Sequence, residues 1–521
     1  MPYEDGEKLF ARVGKLQYRQ EFAVDDATEI HSRRMLNARA SPINEADYKF
    51  LACLDPLCIL YHKRAEGSLT RRMADRIPRP NTPILPVTDR LEVQTGLNIP
   101  EEGIFLGHLS VGGELVKTHS EPETVAYYLR NDYSMGDPPL IFRHMLICGS
   151  TGTGKTFLSK NILRQFMTES NRYRLRNASD NARKNPCLVI MDPQDEYSQI
   201  FEDNETLTDD DRFRFESENV ACGRVQSTKA FVAKVDGQKY PGDKSRAEQI
   251  EFTIPFSFVE HNSWLIAAAG MSELQFIGLD VLLGGDFFKS SGPHTYQNFI
   301  SHIENEGTRS YYVDSNRIHE SSYDGIVRRV NSRFFSKVFD RDATPPISDI
   351  VDKIFKPGQI SVFPTEYISS PRIRDLIVLT IMSLIVDNKL NTTGIDSIKE
   401  TPIILALDEA HRYLSKANGG EHARLIISRF ADAARQGRKE ALGLFLITQD
   451  PQDIDDTVIK QINTKLILNL NNDAAISSLK VPKEYERRIP YLKKGQMIVH
   501  SPDNSDIVEI LGLSSCVVRH R

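Results

Sequence analysis

The chain has 521 residues, of which 40% are hydrophobic and 26% are charged, and its formal net charge at pH 7 is −6. This length and composition are typical of an ordinary globular protein with roughly two to four domains. The near-neutral charge excludes a uniformly basic chain, so any contact with nucleic acid depends on local basic patches.

The cysteines and the apolar segments indicate a cytoplasmic protein without a membrane anchor. No CxxC pair and no His/Cys ligand spacing occurs, which is typical of reduced thiols in a cytosol. The N-terminus is acidic and lacks a signal-peptide core, and the longest apolar stretch, 376–386, is too short to span a bilayer. The cysteines are Cys53, Cys58, Cys148, Cys187, Cys222 and Cys516.

Residues 1–137 are predicted to form a small β-rich domain with a helical start. Short strand-like segments are separated by prolines, which favour turns over longer elements. These segments are 50–54, 57–61, 103–107 and 114–116.

A phosphate-binding loop is the most specific motif of the chain. A short apolar strand leads into the pattern GxxxxGK[ST], which a helical pattern at 157–166 follows. Glycines let backbone N–H groups surround phosphates, Lys155 reaches the β- and γ-phosphates, and the hydroxyl of Thr156 binds Mg²⁺. We therefore predict that the protein binds ATP with Mg²⁺. The residues expected to bind the nucleotide are Gly149, Ser150, Thr151, Gly152, Thr153, Gly154, Lys155, Thr156 and Phe157.

A second core strand is predicted at 187–191, and a polar turn with Asp192 and Glu196 follows it. These two carboxylates either contact metal-bound water or a neighbouring subunit, or they belong to a solvated turn.

The predicted fold class is α/β, and the domain organisation follows from where the core pattern stops and resumes. Residues 138–202 form the first part of the ATPase core, residues 203–345 a mostly helical insertion, and residues 346–521 the second part with C-terminal strands. Apolar residues recur with helical spacing at 264–283 and 323–338 of the insertion. The second part is predicted to contain strands at 359–363, 402–407, 442–448, 465–469, 496–500 and 507–511 and helices at 372–388 and 421–436.

The strand at 402–407 ends in two carboxylates, Asp408 and Glu409. The carboxyl ends of parallel strands face the ligand, so Asp408 is expected to meet Mg²⁺ and Glu409 to polarise the attacking water. The alternative is a buried strand that ends in a solvated acidic turn.

Three further polar residues are candidates for catalysis. Gln449 ends the strand 442–448, and its amide either senses the γ-phosphate or caps a buried strand. Arg435 and Arg438 follow a 16-residue helix, which carries the chain about 24 Å away from its own phosphates. Each arginine is therefore either a finger for the ATP of a neighbouring subunit or part of a solvated basic helix end.

Taken in order, these motifs resemble those of the HerA-type ATPases, hexameric DNA translocases of the HerA/FtsK group. The resemblance implies a RecA-like P-loop NTPase core with an N-terminal small β-barrel. It also implies the phosphate and metal roles of Lys155 and Thr156, the roles of Asp408 and Glu409 in metal binding and water activation, Gln449 as a sensor and Arg435 as the trans finger. The motifs are RHMLICGSTGTGKT, DPQDEYS, IILALDEAH, AARQGRK, LITQD and the terminal VVRHR.

Two motifs depart from the family pattern. The family's second motif is usually closer to DPHGEYS, and an Arg often follows its TQ where this chain has Asp450. A phosphate or neighbour contact from that Arg is therefore not expected here.

A basic stretch between residues 158 and 184 is a candidate DNA contact, or else a solvated face. Phosphate contacts without base readout suit a translocase whose ring repeats the patch around a channel. The basic residues are Lys160, Arg164, Arg172, Arg174, Arg176, Arg183 and Lys184.

Three functions remain open. The first is a hexameric ATPase that translocates double-stranded DNA and works with a separate nuclease or effector protein in DNA end processing or anti-phage defence. The second is a coupling ATPase of conjugation or secretion, and the third is a non-translocating ATPase scaffold of a defence complex. DNA-stimulated hydrolysis separates the first two from the third.

Overall fold

A computed structural model describes most of the chain, and its contacts divide the chain into two compact units. The first unit comprises Met1–Ile99, Lys117–Val125 and Asp503–Asp506, and the second comprises Pro100–Val116, Ala126–Pro502 and Ile507–Arg521. The described residues are 6–20, 48–63, 67–79, 81–132, 139–175, 183–267, 270–342, 344–415 and 421–520.

The first unit contains an antiparallel sheet and one helix. Strands β1 (Glu7–Gln20), β2 (Tyr48–His62) and β3 (Leu69–Arg72) pair in that order, and the helix Arg90–Leu97 lies in the same unit. Its small apolar core contains Leu9, Phe10, Cys58, Ile59 and Leu60.

The predicted helical start of the N-terminal domain is wrong for the described residues, because Glu7–Gln20 form a strand. This strand pairs with β2 along its whole length, from Glu7 opposite Tyr61 to Gln20 opposite Tyr48. Partners so distant along the chain leave no local sequence signal. The two strand-like segments at 50–54 and 57–61 are confirmed, but they are parts of the single strand β2.

The strands predicted at 103–107 and 114–116 are also confirmed, but they pair within the second unit rather than with β1 to β3. They are β4 (Ile104–Val111) and β5 (Glu114–Leu115). The reason is long-range pairing, since β4 lies antiparallel to a strand near the C-terminus at Val508–Gly512. The small β-barrel remains a prediction.

The second unit is built on a sheet of 13 strands in the described part of the chain. The strands of the unit after β5 are β6 (Ala126–Leu129), β7 (Met145–Cys148), β8 (Tyr173–Arg174), β9 (Arg183–Lys184), β10 (Cys187–Asp192), β11 (Thr228–Ala233), β12 (Glu248–Phe252), β13 (Ile360–Pro364), β14 (Ile403–Leu407), β15 (Leu442–Thr448), β16 (Thr464–Ile467), β17 (Gln496–His500) and β18 (Val508–Gly512). The order in the sheet is β12-β11-β13-β10-β14-β15-β7-β16-β17-β18-β4-β5, with β6 also on β4, whereas β8 and β9 form a separate hairpin.

The strands from β12 to β16 in this order are parallel to one another, and those beyond β16 are antiparallel. The central strands β10, β14, β15 and β7 are buried along their whole lengths. Parallel strands covered by helices on both faces have such continuous apolar sequences. The predicted α/β class is therefore confirmed.

The helices of the second unit fall between its strands. They are Lys155–Phe166, Asp209–Ser217, Trp264–Ala267, Glu273–Leu282, Tyr296–Glu304, Glu306–Val313, Glu320–Val330, Val351–Ile354, Pro371–Leu390, Asp396–Lys399, Glu421–Gln436, Asp456–Ile459, Asp473–Ser478 and Lys483–Glu486. None of the helices in the described ranges combines the length and apolarity needed to cross a bilayer.

The segment predicted as an insertion at 203–345 is helical only in part. Its strands β11 and β12 extend the same sheet, because β11 pairs in parallel with β13. One helix, Asp209–Ser217, precedes these strands, and the other helices follow them around an aromatic core that includes Phe256, Phe287 and Phe299. The polar face of β12 hides this pairing from the sequence, since four of its five residues are not buried.

Candidate nucleotide site

Four parallel strands bring the predicted residues to one edge of the sheet. In the order β10-β14-β15-β7, these strands end at Asp192, next to Asp408, next to Gln449 and at the phosphate-binding loop. A cavity of about 830 Å³ lies at this carboxyl edge. It is lined by Thr151 to Leu158 of the loop and its helix and by Asp408, Glu409 and Gln449.

The loop 149–154 has the shape that its glycines permit. Gly152 and Gly154 have φ values of 79° and 100°, in the left-handed region that side chains rarely adopt. Gly149 is crowded instead, because a Cβ there would lie 2.8 Å from the Cβ of Leu468. Gly154 is the N-cap of the helix Lys155–Phe166 and provides no side-chain cap. The first N–H groups of this helix are therefore available to an anion at the cavity.

The side chain of Lys155 contacts the beginning of the phosphate-binding loop. Its Nζ donates to the carbonyl oxygens of Gly149 at 2.9 Å and Ser150 at 3.2 Å, which accounts for two of its three donors among the described residues. Burial lowers the pKa of Lys155, and the nearby carboxylates Glu409 and Asp408 oppose that shift. A phosphate at the cavity would add negative charge beside this ammonium.

Asp408 is a buried carboxyl group with the chemistry of a cation ligand. Its side chain is 4% exposed, and burial together with Glu409 and Asp192 raises its pKa to about 8. Thr156 lines the same cavity. Oxygen ligands of this kind suit Mg²⁺, whose charge would favour the ionised carboxylate. Asp408 and Thr156 therefore fit a magnesium site.

Glu409 turns the chain sharply at the end of β14. Its φ is 52°, in the left-handed region, and this turn carries the side chain into the wall of the cavity. Its backbone N–H donates to the Asp408 carboxylate at 2.9 Å. One carboxylate oxygen, Oε2, is buried and accepts no hydrogen bond from the described residues.

Gln449 contacts the phosphate-binding loop directly. The hydroxyl of Thr151 donates to its Oε1 at 2.8 Å. Gln449 therefore touches the loop that would hold the phosphates, as a residue that responds to the bound nucleotide must.

Asp192 lies in the buried interior rather than in a solvated turn. Its carboxylate accepts the backbone N–H groups of Tyr197 at 2.7 Å and Gln194 at 3.3 Å, and burial raises its pKa to about 7. Asp192 thus fixes the turn after β10, and this turn places Gln194 and Glu196 on the cavity wall.

The C-terminal segment forms another wall of the cavity, and sequence reasoning gave it no role. Leu513, Ser514 and His520 line the cavity, and the His520 ring lies edge-on to Phe157 with centroids 5.4 Å apart. Asn161 on the loop's helix accepts the backbone N–H of Val517 at 2.9 Å. The terminal VVRHR motif was the only local sign of these long-range contacts.

Arg435 and Arg438 do not line the cavity. They lie just before β15 begins at Leu442, at the amino edge of the parallel strands, and the seven residues of β15 separate the two edges by about 20 Å. The side chain of Arg435 is 57% exposed and lies 3.5 Å from Asp432. Neither arginine therefore reaches the phosphate-binding loop of its own chain.

Two members of the predicted basic patch are held in contacts within the fold. Lys160 is fully buried and donates to Gln199 and to the backbone of Arg519, and Arg164 donates to the carbonyl oxygens of residues 222 and 223. Their prediction as a DNA surface was wrong, because Lys160 packs against the C-terminal segment and Arg164 against the loop at 222–223.

The other basic residues that the structure describes lie on or directly before the β8–β9 hairpin, at the amino edge of the sheet. Arg172, Arg174 and Arg183 are exposed, and Lys184 forms an ion pair of 3.1 Å with Glu400. Arg176 lies outside the described residues.

The fold and the site define a P-loop NTPase, since the loop, its lysine and the two carboxylates meet at one cavity. A model of the family described as "Helicase HerA, central domain" matches residues 137–385. The DNA double-strand break repair helicase HerA of Sulfurisphaera tokodaii is 26% identical over 161 residues, 30% of each chain. That of Saccharolobus solfataricus is 31% identical over 124 residues, 24% of each chain.

The aligned segments span less than a third of these archaeal relatives. The solved structure of VirB4 of Thermoanaerobacter pseudethanolicus covers 80% of this chain and 97% of its own, with a TM-score of 0.47 and 11% identity. The family match and the sequence relatives show that this part of the chain is similar to the HerA-type ATPases.

Proposed function

We propose that this chain is the subunit of a hexameric, ATP-driven translocase of double-stranded DNA. The observation that carries the proposal is the separation of the nucleotide groups from Arg435. The residues that would bind the nucleotide lie at the carboxyl edge of the sheet, whereas Arg435 is exposed at the amino edge. An arginine so placed acts on ATP only if a second copy brings its cavity to it, as in a ring.

Within one subunit the chemistry divides among the residues of the cavity. Lys155 and the N–H groups of the loop bind the phosphates, and Glu409 orients the attacking water. Mg²⁺, held by Thr156 and Asp408, would supply charge neutralisation for the phosphates. Gln449, bonded to Thr151, distinguishes ATP from ADP. The curated relatives are named DNA repair helicases, which supports DNA as the ligand here.

The DNA contacts are proposed to be sequence-independent. The chain is near-neutral as a whole, and three exposed arginines, Arg172, Arg174 and Arg183, lie at the β8–β9 hairpin, so DNA phosphates are the groups that this segment would contact. We further propose that the ring is cytoplasmic, that it loads onto DNA, and that it works with a separate nuclease or effector protein.

The test is ATP hydrolysis by the purified chain with and without duplex DNA of random sequence. We expect stimulation at low salt that fades steeply as salt rises, because counterion release governs phosphate contacts. Assembly mass, compared with multiples of the 59.1 kDa chain, reports the ring. Equal hydrolysis with and without DNA at low salt would reject the translocase in favour of a scaffold.

A further inference from the structure

His411 links the water-activating carboxylate to the strand end that carries Gln449. It lies in the short 3₁₀ turn Ala410–Arg412, directly after Glu409, and its side chain is 17% exposed. Its Nδ1 is 3.0 Å from the Thr448 hydroxyl and 3.4 Å from Oε2 of Glu409, and its Nε2 is 3.9 Å from the Asp450 carboxylate. One imidazole therefore faces groups from the ends of both β14 and β15.

The segment 448–450 in turn contacts the phosphate-binding loop. The hydroxyl of Thr448 accepts the backbone N–H of Asp450 at 3.1 Å, which fixes the turn after β15. Gln449, which lies between Thr448 and Asp450 in the sequence, accepts a hydrogen bond from the hydroxyl of Thr151 at 2.8 Å. Movement of the loop on a nucleotide would therefore move the residues that His411 contacts.

Glu409 needs such support. Its Oε2 is buried and receives no hydrogen bond from the described residues, so the nearby imidazole nitrogen is a group that can fix its direction. A carboxylate that activates water must be held closely, because a displacement of about 1 Å costs about 10²-fold in rate.

We propose that His411 is a positioning residue that aligns Glu409 according to the position of the segment 448–450. The Thr151–Gln449 contact then controls water activation through Thr448 and His411. This inference rests on the proposed role of Glu409 and adds the means by which nucleotide sensing and hydrolysis are joined.

The first test compares His411→Leu with His411→Asn. Leu removes both ring nitrogens, whereas the Asn amide nitrogen replaces Nδ1 and keeps the contacts to Thr448 and Glu409. We expect His411→Leu to lower kcat about 10²-fold with an unchanged Kd for a non-hydrolysable ATP analogue. His411→Asn should restore kcat to within a few-fold of the parent. The exposed His261→Leu is the matched control and should leave kcat unchanged.

The second test is a double-mutant cycle with Thr448→Val, which removes the hydroxyl at almost constant volume. The kcat of the double variant should be no lower than that of the less active single variant, because both substitutions break the same contact between His411 and Thr448. Effects that multiply would overturn the link, and so would a parental kcat in His411→Leu. If His411→Leu does not fold, Thr448→Val and His411→Asn decide: a parental kcat in Thr448→Val or an inactive, folded His411→Asn overturns the proposal.

Glu409→Gln separates this inference from the role on which it rests. If Glu409→Gln hydrolyses ATP at the parental rate, the assignment of Glu409 is wrong. If it binds but does not hydrolyse ATP while His411→Leu behaves as the parent, only the positioning role is lost.

Discussion

The two edges of the same parallel strands differ in what one chain supplies. At the carboxyl edge, the ends of β7, β10, β14 and β15 bring a loop, a lysine, carboxylates and an amide to one cavity. At the amino edge, Arg435 and the exposed arginines at the β8–β9 hairpin do not line this cavity. Under the proposed function, nucleotide binding is complete within one subunit, whereas catalysis and DNA contact need other molecules.

The largest effect is expected at the carboxyl edge. Lys155→Ala should abolish nucleotide binding and hydrolysis, because it removes the ammonium beside the phosphates. Glu409→Gln should keep ATP bound but lower hydrolysis about 10²–10⁴-fold, because only the activation of water is lost. Equilibrium binding of a fluorescent ATP analogue and phosphate release measure the two effects. The exposed Glu216→Gln is the control, and a Lys155→Ala chain that still binds ATP would contradict a self-contained site.

Substitution of Arg435 tests whether an arginine at the amino edge contributes to ATP hydrolysis in a neighbouring subunit. Arg435→Ala should lower kcat about 10³–10⁵-fold, the usual contribution of an arginine finger. Mixing inactive Arg435→Ala with inactive Lys155→Ala subunits should restore part of the activity, because some interfaces then join an intact cavity to an intact arginine. Phosphate release by mixtures of verified mass measures this.

The same mixtures made with Arg438→Ala decide which arginine acts. Recovery only with Arg438→Ala would move the role to that residue. Mixed assemblies that recover in neither case would contradict catalysis in trans and leave the two edges independent.

The pH dependence of stability reports how much His144 stabilises the amino edge of the sheet. This buried ring bonds the carbonyl oxygen of Ala434 at 2.7 Å through Nε2, and its Nδ1 accepts the N–H of Leu444 at 3.0 Å, so it is neutral. Burial lowers its pKa to about 4. In acid the unfolded chain takes up a proton that the folded chain does not. The contribution of His144 to stability is therefore full above about pH 6.5 and falls by about 3 kcal/mol as the pH drops to 4.

We expect the melting temperature of the parent to fall more between pH 7 and pH 5 than that of His144→Asn. Asn tolerates the φ of 65° at this position, so the variant tests the imidazole rather than the backbone. At pH 7 the variant should melt a few degrees lower, because it loses a buried hydrogen bond. His261→Asn, at an exposed position, should follow the parent at both pH values, and an equal acid response of all three proteins would exclude His144 as its source.

The smallest expected effect concerns the β8–β9 hairpin. Replacing Arg172 and Arg174 by Ala should reduce the salt dependence of DNA-stimulated hydrolysis, with a slope change of about 0.9 for each DNA phosphate that the variant no longer binds, while basal hydrolysis stays the same. Titration of the stimulation against salt measures the slope. Replacing Arg212 and Arg214 by Ala should have no such effect. These two arginines are exposed on the helix Asp209–Ser217. A parental slope in the Arg172/Arg174 variant would place the DNA contacts elsewhere.

Local patterns were sufficient wherever the function depends on consecutive residues. The phosphate-binding loop lies between a four-residue strand and a helix, and β14 ends at its two carboxylates, as the sequence predicted. The helix Glu421–Gln436 and the strand Leu442–Thr448 have the predicted bounds. Apolar runs and glycine spacing determine such elements because the interactions involved are short in sequence.

Long-range pairing decided the rest. Residues 7–20 became a strand only because β2 lies beside them, and β4 left the N-terminal unit to pair with β18. Lys160 and Arg164 were predicted as basic surface but meet the C-terminal segment and the loop at 222–223 in the fold. A charge pattern does not state which face of a helix is covered.

The sequence was sufficient to predict that the chain binds a nucleoside triphosphate and which residues would contact its phosphates, because those residues adjoin one another directly after two strands. Three facts appear only in the folded chain: Asp192 is buried, His411 lies between Glu409 and Asp450, and the C-terminal segment lines the cavity. These facts depend on which strands become neighbours. Strand order in a sheet is fixed by the packing of the whole core rather than by any one segment.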